Sequence, residues 1–199
     1  KRLVSWTVRL LIVGGAGSGT TEAAFSNAAV DIRSGKIKDA KSLAKEFASL
    51  VPDDADFESQ FAVTRKRGRL ARYLLHALER KKNGASSPEL ISNTDETKVD
   101  LEHVLPRDAS LKDDWPQFTE EEHSAYLGRL GNLALLSKDE NGALNAKGFA
   151  EKAKVYRKSK LKLTAELGDS SKYPDWSTDA IQQRQDELAA LAVRTWPLK

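Results

Sequence analysis

The sequence has no cysteine and no methionine. Without cysteine there are no disulfides, no thiolate zinc sites and no cysteine nucleophile, a pattern that suits a reducing cytoplasm. Any metal must then be held by His, Asn, Asp or Glu. With no methionine anywhere and Lys1 at the start, the chain reads as a piece of a longer protein. Long apolar runs are missing as well. Stretches such as Leu10–Val13 fall far short of the roughly 20 residues that a membrane span needs, so no membrane partner is expected. Aromatics are sparse, at 7%. Charge of one sign does not dominate either, since 32 Lys and Arg against 29 Asp and Glu leave only +3.

What is present is a soluble, globular composition. Of 199 residues, 40% are apolar and 31% charged, enough for one domain with a real core or one core plus a small module. The charge is unevenly spread. Arg65–Lys82 carries eight cations and one acid, Glu79, and Lys147–Lys162 carries seven and one, Glu151. Acids gather between them, at Asp95, Glu96, Asp100, Glu102, Asp113, Asp114 and Glu120–Glu122. Two basic blocks on a near-neutral chain point to a polyanion partner, although such blocks also arise as solvated helix faces.

The N-terminal half reads as helices. Lys38–Leu50 has helical spacing of apolar residues, and residues 58–82 contain the clearest helix, with Leu70, Tyr73, Leu74, Ala77 and Leu78 on one face. His76 is expected at the surface. Asn83–Thr97 is rich in Asn, Gly, Ser, Pro and Thr, so a boundary is placed there. This divides the chain into a helical subdomain, 1–92, and a second unit, 93–199. In the second unit Val99–Leu105 and Leu133–Leu136 read as short strands, and Thr119 followed by Glu122 is a capping-box pattern. His123, among glutamates, is expected to be exposed. Asn145 to about Leu167 reads as a long basic helix. Ser177–Ala192 reads as the last helix, and Trp115, Trp176 and Trp196 read as packing residues.

Two segments have the look of a site. In Leu10-Leu11-Ile12-Val13-Gly14-Gly15-Ala16-Gly17-Ser18-Gly19-Thr20, the spacing from Gly14 to Gly19 is that of a phosphate-binding loop. The lysine that should follow is replaced by Thr20, and no downstream acid for a metal is evident. A helix–helix connection, which uses glycine for ordinary reasons, explains these residues better.

The second segment is Glu102-His103-Val104-Leu105-Pro106, then Arg129-Leu130-Gly131-Asn132-Leu133, then Asn141, Asn145 and Phe149-Ala150-Glu151-Lys152. Hydrolysis of a phosphodiester needs an activated water, a cation at the scissile phosphate and stabilisation of the leaving oxygen. His103 is a base suited to take the proton from water. Glu102 would bind a single hard cation, Mg2+ or Mn2+, through oxygen. Asn132 would hold the His103 ring, Asn141 would be a second metal ligand, and Lys152 would face the same phosphate. Side chains alternate along a strand, so Glu102 and His103 need a twist or a strand end to converge.

These residues resemble the His-Me finger, or HNH, nucleases. With Phe149, Lys152, Tyr156 and Ser159 added, they resemble the C-terminal nuclease domain of GmrSD-type modification-dependent restriction enzymes, and the similar domain of SspE-type anti-phage proteins. The motifs cover residues 101–160, and Trp176 and the Ile181-x-x-Arg184 helix also fit. The resemblance implies an α+β fold, mostly α-helical, with a small ββα-metal catalytic unit. It implies that His103 is the general base, Glu102 a metal ligand, Asn132 the central asparagine, and Asn141 or Asn145 the last ligand. It implies a metal-dependent DNA endonuclease or nickase that serves as effector of a phage-restriction system. An N-terminal nucleotide-hydrolysing sensor domain of the same full-length protein would be its partner. Double-stranded DNA would be contacted by Arg129, by Arg65–Arg72 including Arg69 and Arg72, and by Lys147, Lys152, Lys154 and Lys158. The other class open to the sequence is a non-catalytic DNA-binding or protein-interaction module with a degenerate site.

Overall fold

The computed structural model describes residues 1–13, 18–89, 99–137, 140, 144 and 147–198. Gly14–Gly17, Asn141 and Asn145, singled out in the sequence, lie outside the described residues. The fold is mostly helical with one small sheet. In order, α1 (Arg2–Val13), α2 (Ser18–Arg33), α3 (Ala40–Phe47), α4 (Asp54–Phe61) and α5 (Gly68–Lys82) precede strand β1 (Val99–His103). Then come α6 (Glu120–Tyr126), a 3-10 turn (Leu130–Asn132), β2 (Leu133–Ser137), α7 (Phe149–Tyr156), α8 (Lys162–Ala165), a second 3-10 turn (Glu166–Gly168) and α9 (Thr178–Thr195).

β1 and β2 pair antiparallel, with Glu102 opposite Ala134 and His103 opposite Leu133. Side chains alternate across a strand, so the ladder separates two cores. Leu133 and Leu135 join Phe57, Phe61, Leu74, Leu78, Leu188 and Trp196 on the side of α4, α5 and α9. Ala134 and Leu136 join Trp115, Phe149, Tyr156, Trp176 and Ile181 on the side of α7. Burial on both faces explains why β2 reads as an unbroken apolar run. The first core draws on residues from both sides of the segment 83–97. A third cluster, with Trp6, Leu10, Phe47 and Val51, packs α1 against α3.

Local signals place several of these elements. Thr119 accepts from the Glu122 N–H and the Glu122 carboxylate accepts from the Thr119 N–H, the reciprocal box read from the sequence. Ser177 caps α9 through Ala180. All three of Trp115, Trp176 and Trp196 are fully buried.

The segment before the glycine-rich loop is helix α1, and Gly19 lies within α2, so two helices flank the loop and the strand of a phosphate-binding loop is not formed. The clearest helix expected within 58–82 is α5, and just before it Arg65 bridges to Arg129 and the Lys66 N–H donates to Gly128. One expectation is corrected: the long basic helix is broken, after Tyr156. The chain doubles back there, so that Gly168 lies against the Arg157 backbone and the Ala153 carbonyl. The Arg157 side chain donates to the Gly168 carbonyl at 2.8 Å. Glu79 of α5 then caps α8, accepting from Lys162 and Leu163 at 2.8 and 2.9 Å.

The turn before β2 is held by α9. A Cβ on Gly131 would run into the Ile181 carbonyl and meet Gln185 at 3.1 Å. Two buried side chains of α9 complete the contact. The Gln185 amide oxygen accepts from the Gly131 N–H at 2.5 Å. Arg184 donates to the carbonyls of Gly131 and Leu133 at 2.6 and 2.7 Å. Gly131→Ala is therefore expected to lower unfolding free energy by about 2–4 kcal/mol, through overpacking against backbone. Gly19→Ala, whose Cβ meets open space on a helix, should raise it by about 0.5–1 kcal/mol. Urea denaturation of the two variants checks both signs.

Candidate functional site

The site forms where β1 ends. Asn132, fully buried, immediately precedes β2 and spends its whole amide on its neighbours. Its side-chain oxygen accepts from the Leu105 N–H at 2.8 Å and the Trp176 indole at 3.1 Å. Its amide nitrogen donates to the carbonyls of Leu105 and Leu127, each at 3.1 Å. Its backbone carbonyl takes the Val104 N–H at 2.9 Å. Asn132 thus fixes the two residues that follow His103. The expected contact with the His103 ring is not formed among the described residues, because the amide is already saturated by backbone and indole.

His103 and Glu102 lie on opposite faces of β1, as alternation requires. Glu102 turns toward α7. Its Oε1 accepts from Lys152 Nζ at 2.6 Å and from the Tyr156 hydroxyl at 3.2 Å. Lys152 also donates to the His103 carbonyl at 2.9 Å. The Lys152 side chain is 0% exposed, against 11% for Glu102. Burial pushes the Lys152 ammonium below its ordinary value, and Glu102 opposes that shift. Burial likewise holds the Tyr156 hydroxyl well above its usual range, with the Glu102 charge adding. Glu102 Oε2 receives no hydrogen bond among the described residues.

His103 is half-buried on the α5 side. Burial pushes it down to about 4, with Arg107, Lys152 and Arg67 adding in that order. The ring is therefore neutral at pH 7, the form that accepts a proton. Arg67 was expected only as part of the basic block Arg65–Arg72, and Arg107 was not singled out by the sequence. Arg107 follows Pro106 directly in the motif, which is the signal that would have found it.

Of the expected DNA contacts, three turn inward. Lys152 is committed to Glu102, not to the surface. Arg72 donates to the Val99 carbonyl and ties α5 to β1. Arg129 donates to Ala62 at 3.1 Å and lies over the Tyr126 ring at 5.3 Å. Arg69, Lys147, Lys154 and Lys158 are exposed, with Lys154 paired to Glu151. His76 is half-buried rather than at the surface. His123, expected to be exposed, is half-buried, and its Nε2 donates to the Pro106 carbonyl at 2.8 Å.

Of the expected metal ligands, Glu102 alone is described. It offers one hard oxygen clear of the described hydrogen bonds, which fits a single cation whose remaining ligands come from elsewhere. Among the described residues no group of three His, Cys, Asp or Glu gathers, and no helix is long and apolar enough to cross a membrane.

Fold and site together define a class: a helical domain with an acid and a histidine on opposite faces at the end of one strand of a two-stranded antiparallel sheet braced by a helix. Residues 51–191 match the family model for the C-terminal domain of GmrSD restriction endonucleases, and the chain belongs to that family. No curated protein matches the chain. Family and fold agree on a restriction-endonuclease-related domain with a mixed α+β, mostly helical architecture.

The Glu102–Lys152 pair generates a prediction. Lys152→Met leaves a buried carboxylate unpaired and should cost about 3–5 kcal/mol. Adding Glu102→Gln removes that charge and should restore most of the loss, as read by urea denaturation. A lysine serving only as a surface contact would show neither effect.

Proposed function

We propose that the chain is a metal-dependent DNA endonuclease that hydrolyses one phosphodiester bond per engagement, and so acts as a nickase. The observation that carries this reading is the half-buried His103 at the end of β1, where Asn132 holds the backbone that follows it and Glu102 occupies the other face. A ring nitrogen of His103 takes the proton from a water molecule as that water attacks phosphorus. Asn132 acts at one remove, keeping the Val104–Leu105 backbone fixed so that the ring cannot drift. Lys152 keeps the Glu102 carboxylate oriented from the side of α7.

Glu102, with Asn141 or Asn145, would hold magnesium or manganese, cations that favour oxygen ligands. When bound, such a cation supplies positive charge at the phosphate and the departing oxygen. Arg69, Lys147, Lys154 and Lys158 are exposed cations suited to phosphates further along the duplex, where they position DNA without reading sequence. In this reading the domain is the cytoplasmic effector of an anti-phage restriction system. Its partner is a nucleotide-hydrolysing sensor domain in the full-length protein, which supplies the recognition of modified DNA.

The test is supercoiled plasmid incubated with the purified chain, in EDTA and then with magnesium or manganese. Nicked circles are expected with the cation and not in EDTA. His103→Ala should slow nicking by about a hundredfold or more. A plasmid that stays intact with every cation while its mobility shifts would instead favour a non-catalytic DNA-binding module.

A further inference from the structure

We infer that Arg67 and Arg107 form a phosphate clamp over His103, and that the scissile phosphodiester of DNA seats between them. The inference deepens the nuclease reading and rests on it. Its first support is placement. Arg107 is exposed and follows a stretch of backbone held at several points. Asn132 grips Val104 and Leu105, and His123 grips the Pro106 carbonyl. Arg67 is exposed as well, at the entry to α5. The chain just before it is pinned by the Arg65–Arg129 bridge and by the Lys66 N–H on the Gly128 carbonyl. The Gly128–Arg129 segment runs through the turn into Leu133, the residue that faces His103 across the ladder. Two anchored segments thus deliver one arginine each to the end of β1 where the histidine stands.

The second support is their lack of employment. Neither guanidinium makes a hydrogen bond or ion pair among the described residues. Neighbouring arginines are spent: Arg65 donates to Ser124, Arg72 to Val99, Arg129 to Ala62 and Arg184 to the turn before β2. Both unspent arginines lie close enough to bear on the His103 ring by charge. Two guanidinium charges gathered at one strand end repel each other, and an incoming phosphate relieves that repulsion. Guanidinium is also the side chain whose planar fork matches phosphate oxygens in pairs.

The experiment has two arms. In the first, a fluorescent DNA duplex is titrated in EDTA at several salt concentrations, and plasmid nicking is followed with the cation present. Arg67→Ala and Arg107→Ala should each slow nicking by about tenfold or more and reduce the salt dependence of binding by about one phosphate contact. Arg→Lys at either position should rescue only part. Lys38→Ala, an exposed cation remote from the motif, should change neither. Because both arginines are exposed, thermal unfolding should be unaltered. In the second arm, the His103 ring resonances are followed by NMR as the duplex is added in EDTA. They should move in the wild type and stay still in the double variant Arg67→Ala/Arg107→Ala.

If the wild type nicks and the arginine variants nick and bind as it does, the clamp is overturned while the nuclease stands. If nothing nicks, yet the His103 resonances respond to DNA only when the arginines are present, the nuclease reading fails and the clamp survives as a phosphate site. Resonances that ignore DNA in the wild type overturn the clamp.

Discussion

The candidate site hangs on one side-chain amide. Asn132 is fully buried, and it makes four side-chain hydrogen bonds plus one through its carbonyl. A buried amide left partly unpaired is costly, and a saturated one admits a single arrangement of its neighbours. Those neighbours are the backbone just after His103, the end of the α6 segment at Leu127, and the indole of Trp176. Three stretches of chain far apart in sequence are thereby held to one geometry. Asn132 is in turn set in place by α9, through Gly131, Gln185 and Arg184. Arg184 is wholly buried with no carboxylate bonded to it among the described residues, and it offsets its desolvation with carbonyl oxygens. The rigidity of the strand end is imported from a helix about fifty residues downstream.

Around that fixed point the two faces of β1 carry different burdens. On the α7 side, Glu102 is drawn into a buried ion pair whose lysine also grips the His103 carbonyl. On the α5 side, the His103 ring feels the charge of arginines that are bonded to no acid among the described residues. Acid and base are neighbours in sequence and separated by the sheet, so each has an environment of its own. Glu102 is bonded by Lys152 and Tyr156 on its own face of the sheet. His103 loses its charge because burial and three cations are beside it. Separation of this kind gives the two side chains of one dipeptide different partners.

Much of this was legible in the residues. The order of acid–histidine, asparagine and lysine-bearing helix pointed to the candidate site, because each chemistry allows few residue types. The Thr119 box and the apolar run of β2 were legible because they depend on near neighbours. What escaped depends on long-range geometry. A lysine on a basic helix looks like a DNA contact until the break after Tyr156 shortens that helix and packs Lys152 inward under the sheet. Arg72, in a basic block, and Arg129, beside the motif asparagine, read as DNA contacts. Their guanidiniums are instead consumed by carbonyls of segments that the fold brings alongside. Trp176 was expected to pack, and it does, but its role as a donor to Asn132 spans 44 residues. No local pattern encodes that.

The segment before the family match has its own physical tie to this body. Arg9 of α1 is fully buried and paired on every side. It donates to the Trp196 carbonyl at 2.8 Å and the Pro52 carbonyl at 3.0 Å, reaches Asp54 at 2.5 Å, and lies 4.8 Å over the Phe57 ring. Trp6 donates to the Leu198 carbonyl at 3.2 Å. A guanidinium enclosed in this way is tolerable only while all its partners stay in place. Those partners include the entry to α4 and the exit of α9, two of the helices that build the core beneath β2. Helix α1 is therefore an integral wall of the domain, and the matched family segment at its margins leans on a residue that precedes it.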